Sequence, residues 1–320
     1  YTCREGKCHL NLTFMDMATN LTSRHARHLP RLRAVMVLLK PITWFPPIWA
    51  YLCGAVSAGV APNGHWGILV LGVVLAGPLV CGMSQAANDW CDRHVDAINE
   101  PQRPIPSGAI PGKWGLWIAV CMSVFAAILG LVLGPWGFGA TILAIAAAWA
   151  YSAEPIRLKR SGWWGPGLVG LSYETLPWLT GAIVLGGGMP TWPVVIVALL
   201  YGLGAHGIMT LNDFKAFKGD QRMGVRSLPV MLGPERAARV ACVVMTVPQV
   251  IVILLLLGVW DRPWHGVVIG ASLMGQLWAM RVLLRDPKGK APWYNGVGVM
   301  LYVLGMMVAA FAIRTVGTGG

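Results

Sequence analysis

Charge is what this chain has least of. Of its 320 residues only 12% are charged, about half the share of an ordinary soluble domain. Acids are scarcer still, 13 Asp+Glu against 25 Lys+Arg. With 56% hydrophobic residues and a mean hydropathy of +0.60, too little polar surface is available to coat a water-facing globule. This excludes a soluble cytosolic enzyme and a disordered chain. Ligand-spaced cysteines are also missing. The seven Cys are scattered, and Cys3, Cys8 and His9 lack the second half that a four-ligand site needs. An excess of +12 charges in a soluble protein would suggest nucleic acid, but no aromatics interleave with the basic run Arg24–Arg33, and a lipid-headgroup lead-in fits it better.

What is present is a series of apolar stretches long enough to cross a bilayer as helices. Nine are read, at 42–60, 66–87, 114–133, 136–153, 166–185, 192–211, 239–259, 264–283 and 296–313. Connections alternate between short and long. The segment through Lys40 and the four long connections hold 23 of the 25 basic residues, leaving Arg262 and Arg314 on the other face. That asymmetry predicts a cytoplasmic N-terminus and cytoplasmic long loops. The expected fold class is an all-α polytopic membrane protein, with nine transmembrane helices in two pseudo-repeated halves around a central cavity. The expected domains are a basic cytoplasmic N-terminal segment (1–34), one membrane domain (35–315) and a short tail (316–320). The chain opens on Tyr1 rather than Met, and residues 1–16 read as a start-site artefact.

Chemistry should lie where the rare acids concentrate. Asn88-Asp89-Trp90-Cys91-Asp92-Arg93-His94-Val95-Asp96 puts three carboxylates in nine residues. On a helix, Asn88, Asp92, Asp96 and Asp89 fall at about 0°, 40°, 80° and 100°, all on one face. Like charges on one stripe repel unless a cation sits among them. Hard oxygens of this kind suit Mg²⁺, which shares its coordination with substrate phosphates. Asn88, Asp89 and Asp96 recur 124 residues later as Asn212, Asp213 and Asp220, whereas Asp92 maps onto Ala216. Two acid clusters ending two spans on one membrane side imply an internal duplication, two Mg²⁺ ions and a diphosphate between them. Arg103, Lys215 and Arg222 lie closest to the acids, while Arg226, Arg157, Lys159 and Arg160 flank them; Arg clamps phosphate in a fork and Lys acts as a point charge. Glu174, in mid-span, is an intramembrane ionisable group and functional by default, with no role assigned to it.

These residues resemble the UbiA superfamily of intramembrane prenyltransferases. Asn88, Asp89, Asp92 and Asp96 match its N-D-x-x-D-x-x-x-D motif in full, and Asp213 and Asp220 match its second acid motif without the middle aspartate. The stretches Asn88–Gly108 and Asn212–Gly233 are similar to the chlorophyll and bacteriochlorophyll synthase branch, more to the bacteriochlorophyll side. The resemblance implies Mg²⁺-dependent transfer of a geranylgeranyl or phytyl group from its diphosphate to the propionate of a (bacterio)chlorophyllide, releasing pyrophosphate. Under it, Asn88, Asp89, Asp92, Asp96, Asp213 and Asp220 hold Mg²⁺. Asn88, Arg103, Lys159, Asn212, Lys215, Arg222 and Arg226 bind the diphosphate. Tyr151-Ser152 precedes Pro155, Arg157 and Lys159 as in the family's Y-S-x-x-P-x-R-x-K pattern, which places Tyr151 near the breaking bond. His94 and His206 are the candidates for a tetrapyrrole contact, against a plainer reading as packing residues.

Two other readings stand beside it. One is a prenyltransferase of the same fold acting on an aromatic acid or haem. The other is an ion-coupled transporter, whose acids should lie at the bilayer midplane rather than at helix ends. The resemblance also implies a bacterial inner or photosynthetic intracytoplasmic membrane. No motif identifies a protein partner.

Overall fold

In lipid every backbone N–H and C=O must be satisfied within the protein, which leaves helices for a chain with this hydropathy pattern. The computed structural model describes residues 29–61 and 63–316; their regular structure is helical, joined by turns and loops, with one isolated bridge between Ser161 and Arg226. The helices are α1 (Leu32–Leu39), α2 (Phe45–Ser57), α3 (Trp66–Asn99), α4 (Trp114–Val132), α5 (Gly134–Ser152), α6 (Trp164–Gly186), α7 (Trp192–Asn212), α8 (Phe217–Met223), α9 (Leu228–Leu232), α10 (Pro234–Gly258), α11 (Pro263–Arg285) and α12 (Pro287–Ile313). Pro stands in the first two positions of α2, α5, α7, α9, α10, α11 and α12, where its missing N–H costs nothing and its fixed φ suits the first turn.

All nine expected spans fall on helices. Among the described residues seven helices are long and apolar enough to cross a membrane, or eight when the segments Leu32–Thr43 and Phe45–Ser57, bent by 52°, count as one span. The remaining stretch, α5, is helical over 19 residues but is diluted by Gly, Ala and Ser. Only residues 29–34 of the expected N-terminal segment and Val316 of the tail are described; Cys3, Cys8 and His9 lie outside the described residues.

Prolines inside two helices shape the cavity wall. Pro78 removes a backbone donor within α3, and the turn Leu75–Cys81 widens to i→i+5 bonding around it. In α6 the same widening covers Leu171–Thr175, one residue short of Pro177, whose ring would crowd the Tyr173 carbonyl in a regular helix.

Elsewhere the bundle is tightly closed. Trp178, Tyr51, Tyr201, Tyr294 and Tyr302 are fully buried. Indole N–H of Trp178 donates to Ser57 Oγ at 3.1 Å, and the Tyr302 hydroxyl donates to the Tyr201 carbonyl at 2.6 Å. A Cβ on Gly54 would lie 2.0 Å from the Trp178 carbonyl oxygen, so only glycine lets α2 and α6 approach this closely. Gln249 and Gln276, both wholly buried, exchange amide bonds of 3.1 and 2.9 Å between α10 and α11. Large apolar side chains such as Trp117, Phe125 and Leu254 are more than half exposed on the outer faces, as lipid contact requires. The protein is an integral membrane protein.

Candidate active site

α2, α3, α5, α6, α7 and α12 ring a central cavity of about 620 Å³. Its wall is mostly apolar, with Leu75, Val80, Leu133 and Ala144 among its residues. Polar groups gather where α3, α5, α7 and α12 bring Asn88, Tyr151, Ser152, Asn212, Lys215 and Asn295 to it. One Asn from each acid motif thus reaches the same chamber.

The first motif lies on one uninterrupted helix. α3 runs regularly from Gly82 to Asn99, and the predicted stripe forms, with Asp89 and Asp96 buried and Asp92 half-buried. Cations surround it. Lys40 Nζ lies 2.6 Å from Asp89 Oδ1, and Arg103 reaches Asp96 at 2.9 Å, Asp89 at 3.4 Å and also Glu100. Arg157 and Lys159 hold Asp92 at 2.9 and 2.5 Å, and Lys159 donates to Asn88 Oδ1 at 3.1 Å. Buried ion pairs repay their desolvation only with close geometry and several partners, and this arrangement has both. Burial pushes the Lys159 ammonium below its usual value, with Asp92 pulling the other way. Glu154 is held below the usual carboxylate range, chiefly by its hydrogen bond from Arg157. Lys40 and Arg157 both have positive φ, 46° and 40°, a conformation uncommon outside glycine, so backbone strain is held at two of the four residues that deliver cations to the acids.

In the second motif the helix does not continue. α7 ends at Asn212, Asp213–Lys215 form a tight turn, and α8 carries Asp220. This corrects the expectation of two equivalent helix ends. Asp213 and Asp220 form no ion pair among the described residues. Burial raises the Asp220 carboxyl above its usual range. Lys215, Arg222 and Arg226 are exposed, with Lys215 also lining the cavity.

Several contacts bring the two motifs face to face. A Cβ on Gly219 would sit 3.9 Å from Asn99 Nδ2 at the end of α3. Tyr151, at the end of α5, is near enough to Asp92, Asp213 and Asp220 to feel charge from both motifs. The Gly162 N–H donates to the Arg226 carbonyl at 2.8 Å, and a Cβ on Gly162 would meet Leu228 N at 2.5 Å, so glycine is required where the α5–α6 loop docks beside the second motif. Lys288 caps the Phe217 ring at 4.4 Å, pinning α8 to α12.

The donor set suits Mg²⁺: carboxylate and amide oxygens with no sulfur or imidazole among them. Asp89 Oδ2 is buried without a hydrogen-bond partner, a free ligand position on the first motif. Among the described residues, however, no three His, Cys, Asp or Glu side chains converge as a ready metal cage. In this geometry Lys and Arg fill the space between the acids.

The histidine candidates sit apart. His94 is exposed on the α3 end, and His206 is occupied, its Nε2 3.2 Å from the Trp163 carbonyl and its Nδ1 3.4 Å from Thr210 Oγ1; neither lines the cavity. Sequence reasoning missed Lys40 and Asn295. Asn295 Nδ2 donates to Asn212 Oδ1 at 2.7 Å. Neither lies near an acid motif in sequence, and no periodicity points to them.

Comparison with known proteins places this geometry. The chain is 68% identical to the bacteriochlorophyll synthase 33 kDa chain of Cereibacter sphaeroides, over 93% of this chain and 98% of that one. It is 43% identical to the 34 kDa chain of Chloroflexus aurantiacus, covering 86% of this chain and 88% of that one. With the chloroplastic chlorophyll synthase of Arabidopsis thaliana identity is 35%, over 86% of this chain and 73% of the relative. A solved UbiA homologue from Archaeoglobus fulgidus bound to DMAPP and Mg²⁺ shares the fold at a TM-score of 0.60 and 18% identity, covering 88% of this chain and 99% of that one. Residues 43–305 match the UbiA prenyltransferase family, and the chain belongs to it.

Proposed function

We propose that this protein esterifies the propionate of bacteriochlorophyllide with a geranylgeranyl or phytyl group taken from the prenyl diphosphate, releasing pyrophosphate. What carries the reading is the cavity: an apolar chamber for a hydrocarbon chain, closed at one end by an Asn from each acid motif and by Lys215. The bacteriochlorophyll synthases among its relatives favour that acceptor over chlorophyllide.

Asn88, Asp89, Asp92, Asp96, Asp213 and Asp220 would hold two Mg²⁺ ions, which neutralise charge developing on the leaving diphosphate. Arg103 and Lys159 are within reach of that diphosphate from the first motif, and Asn212, Lys215, Arg222 and Arg226 from the second. A propionate oxygen attacks C1 of the prenyl group as the C1–O bond breaks, and the bonding pair leaves with the diphosphate. The acceptor is already a carboxylate near neutral pH, so no proton has to be removed and no general base is required. Tyr151 sits beside the breaking bond, and the apolar wall excludes the water that would otherwise capture the allylic centre. Basic-residue asymmetry supports placing the N-terminus and the site on the cytoplasmic face of a bacterial inner or photosynthetic intracytoplasmic membrane.

The deciding assay offers bacteriochlorophyllide, chlorophyllide and 4-hydroxybenzoate in parallel to membranes supplied with geranylgeranyl diphosphate and Mg²⁺. Esterified bacteriochlorophyllide with released pyrophosphate is expected, and chelation should abolish it. Prenylation of 4-hydroxybenzoate alone would sink the tetrapyrrole reading and favour an aromatic acceptor.

A further inference from the structure

Three buried polar atoms without hydrogen-bond partners line the cavity: Ser152 Oγ, Asn295 Oδ1 and Glu174 Oε2. Ser152 and Asn295 belong to the polar end beside the acid motifs, where a charged substrate group gives them partners. Glu174 does not. It lies ten residues into α6, about 15 Å along the helix from Trp164. Only 4% of it is exposed, and no Lys, Arg or His among the described residues pairs with it.

Its neighbour shows that the protein satisfies such groups where no ligand is needed. Tyr173, in the same widened turn, also lines the cavity, and its hydroxyl lies within 3.2–3.3 Å of Cys81 Sγ, Ser84 Oγ and Gln85 Nε2 on α3. The Gln249–Gln276 exchange does the same between α10 and α11. A buried carboxyl left unpaired costs stability, which points to a partner that arrives with the substrate. Prenyl chains are hydrocarbon and offer it nothing. A neutral carboxyl is an O–H donor, and its complement is a carbonyl.

Resting on the acceptor assignment above, we infer that Glu174 is a specificity-determining residue that donates a hydrogen bond to a carbonyl on the rim of the macrocycle. Of the carbonyls on the rim of bacteriochlorophyllide, the acetyl lies farthest around the ring from the propionate. With the propionate at the polar end of the cavity, the acetyl is the carbonyl carried deepest into the chamber, alongside the prenyl chain. The widened turn before Pro177 and the Tyr173 anchor fix the backbone that presents Glu174.

The test pairs bacteriochlorophyllide with its 3-vinyl analogue, which lacks only that carbonyl, in membranes holding the full chain. Wild type should prefer the acetyl form in kcat/KM by about tenfold or more, as sites built to bond a substrate group reject analogues lacking it. E174Q keeps a donor and should keep most of the preference. E174L should bring the ratio close to one, mainly by raising KM for the acetyl form. A second readout needs no turnover: the acetyl C=O stretch of bound pigment should be downshifted in wild type and E174Q but free in E174L. An unshifted stretch or a ratio near one in wild type overturns the inference, as does an equal loss on both acceptors in E174L. Failure to esterify either pigment would instead defeat the acceptor assignment itself.

Discussion

The two acid motifs share a sequence pattern and differ in how their charge is held. Around Asp89, Asp92 and Asp96, one continuous helix meets four cations drawn from three separate segments, at 40, 103 and 157–159. Around Asp213 and Asp220 the helix breaks, and the nearby Arg222 and Arg226 are exposed while Lys215 lines the cavity, none of them pairing with either acid. The first motif is a neutralised, rigid wall. The second is a turn between two helices whose acids have no ion-pair partner among the described residues. An absent middle acid at Ala216 and a broken helix go together, since a carboxylate there would have added a third uncompensated charge to the same turn. The repeat therefore keeps the acids at Asp213 and Asp220 while changing the backbone that carries them and the charges around them.

The strongest way to break that comparison is to remove one acid from each side. D92A and D213A should each cut esterification by about 10³-fold, since both motifs would clamp one diphosphate through metal. Stability should split them. D89N removes the partner of Lys40 and Arg103 from a site where the carboxylate is 2% exposed, and breaking such a pair costs about 3 kcal/mol. D213N relieves an acid that has no ion-pair partner and should leave stability unchanged or raise it by about 1 kcal/mol. Thermal midpoints of metal-free protein in detergent decide the matter. Equal losses for D89N and D213N would mean the motifs are not asymmetric.

That asymmetry was only half legible from sequence. The stripe Asn88–Asp92–Asp96 follows from helical period alone, and α3 forms it. The recurrence at Asn212, Asp213 and Asp220 was also visible, but the break after Asn212 was not, because nothing local in Asn212–Gly219 forbids a helix before Gly219. Counter-ions were the larger blind spot. Lys40 meets Asp89 from 49 residues away and Arg157 meets Asp92 from 65, distances at which no spacing rule operates. Both adopt left-handed backbone that a bare Lys or Arg does not advertise. Pro177 is plain in the sequence, yet the widened turn before it, which presents Tyr173 and Glu174 to the cavity, is not.

A smaller effect is expected at Asn295, which ties α12 to the second motif through Asn212 at 2.7 Å. N295A removes the tie without touching an acid. Turnover should drop about tenfold, the size of one hydrogen bond to a positioned group, with the Mg²⁺ concentration for half-maximal rate rising alongside. N295L, similar in bulk, should behave like N295A. If N295A alone were impaired, packing rather than the hydrogen bond would be responsible, and the second motif would not depend on α12 for its position.

The smallest change should come from restoring the missing acid with A216D. An added carboxylate raises the negative charge of a turn that already holds Asp213 and Asp220 without ion pairs, so the metal-free protein should lose a little stability, about 1 kcal/mol or less. Residue 216 is exposed, which limits that cost. The same charge offers the second ion one more hard oxygen, and the Mg²⁺ concentration for half-maximal rate should fall about two- to threefold. kcat should change little, because the ligand gained acts on a bound ion in ground and transition states alike. The comparison is sharpened by running A216D in the N295A background. If the second motif is short mainly of oxygen ligands, the new carboxylate should recover part of the Mg²⁺ dependence that N295A loses. No recovery would mean that the second motif lacks position rather than oxygen ligands.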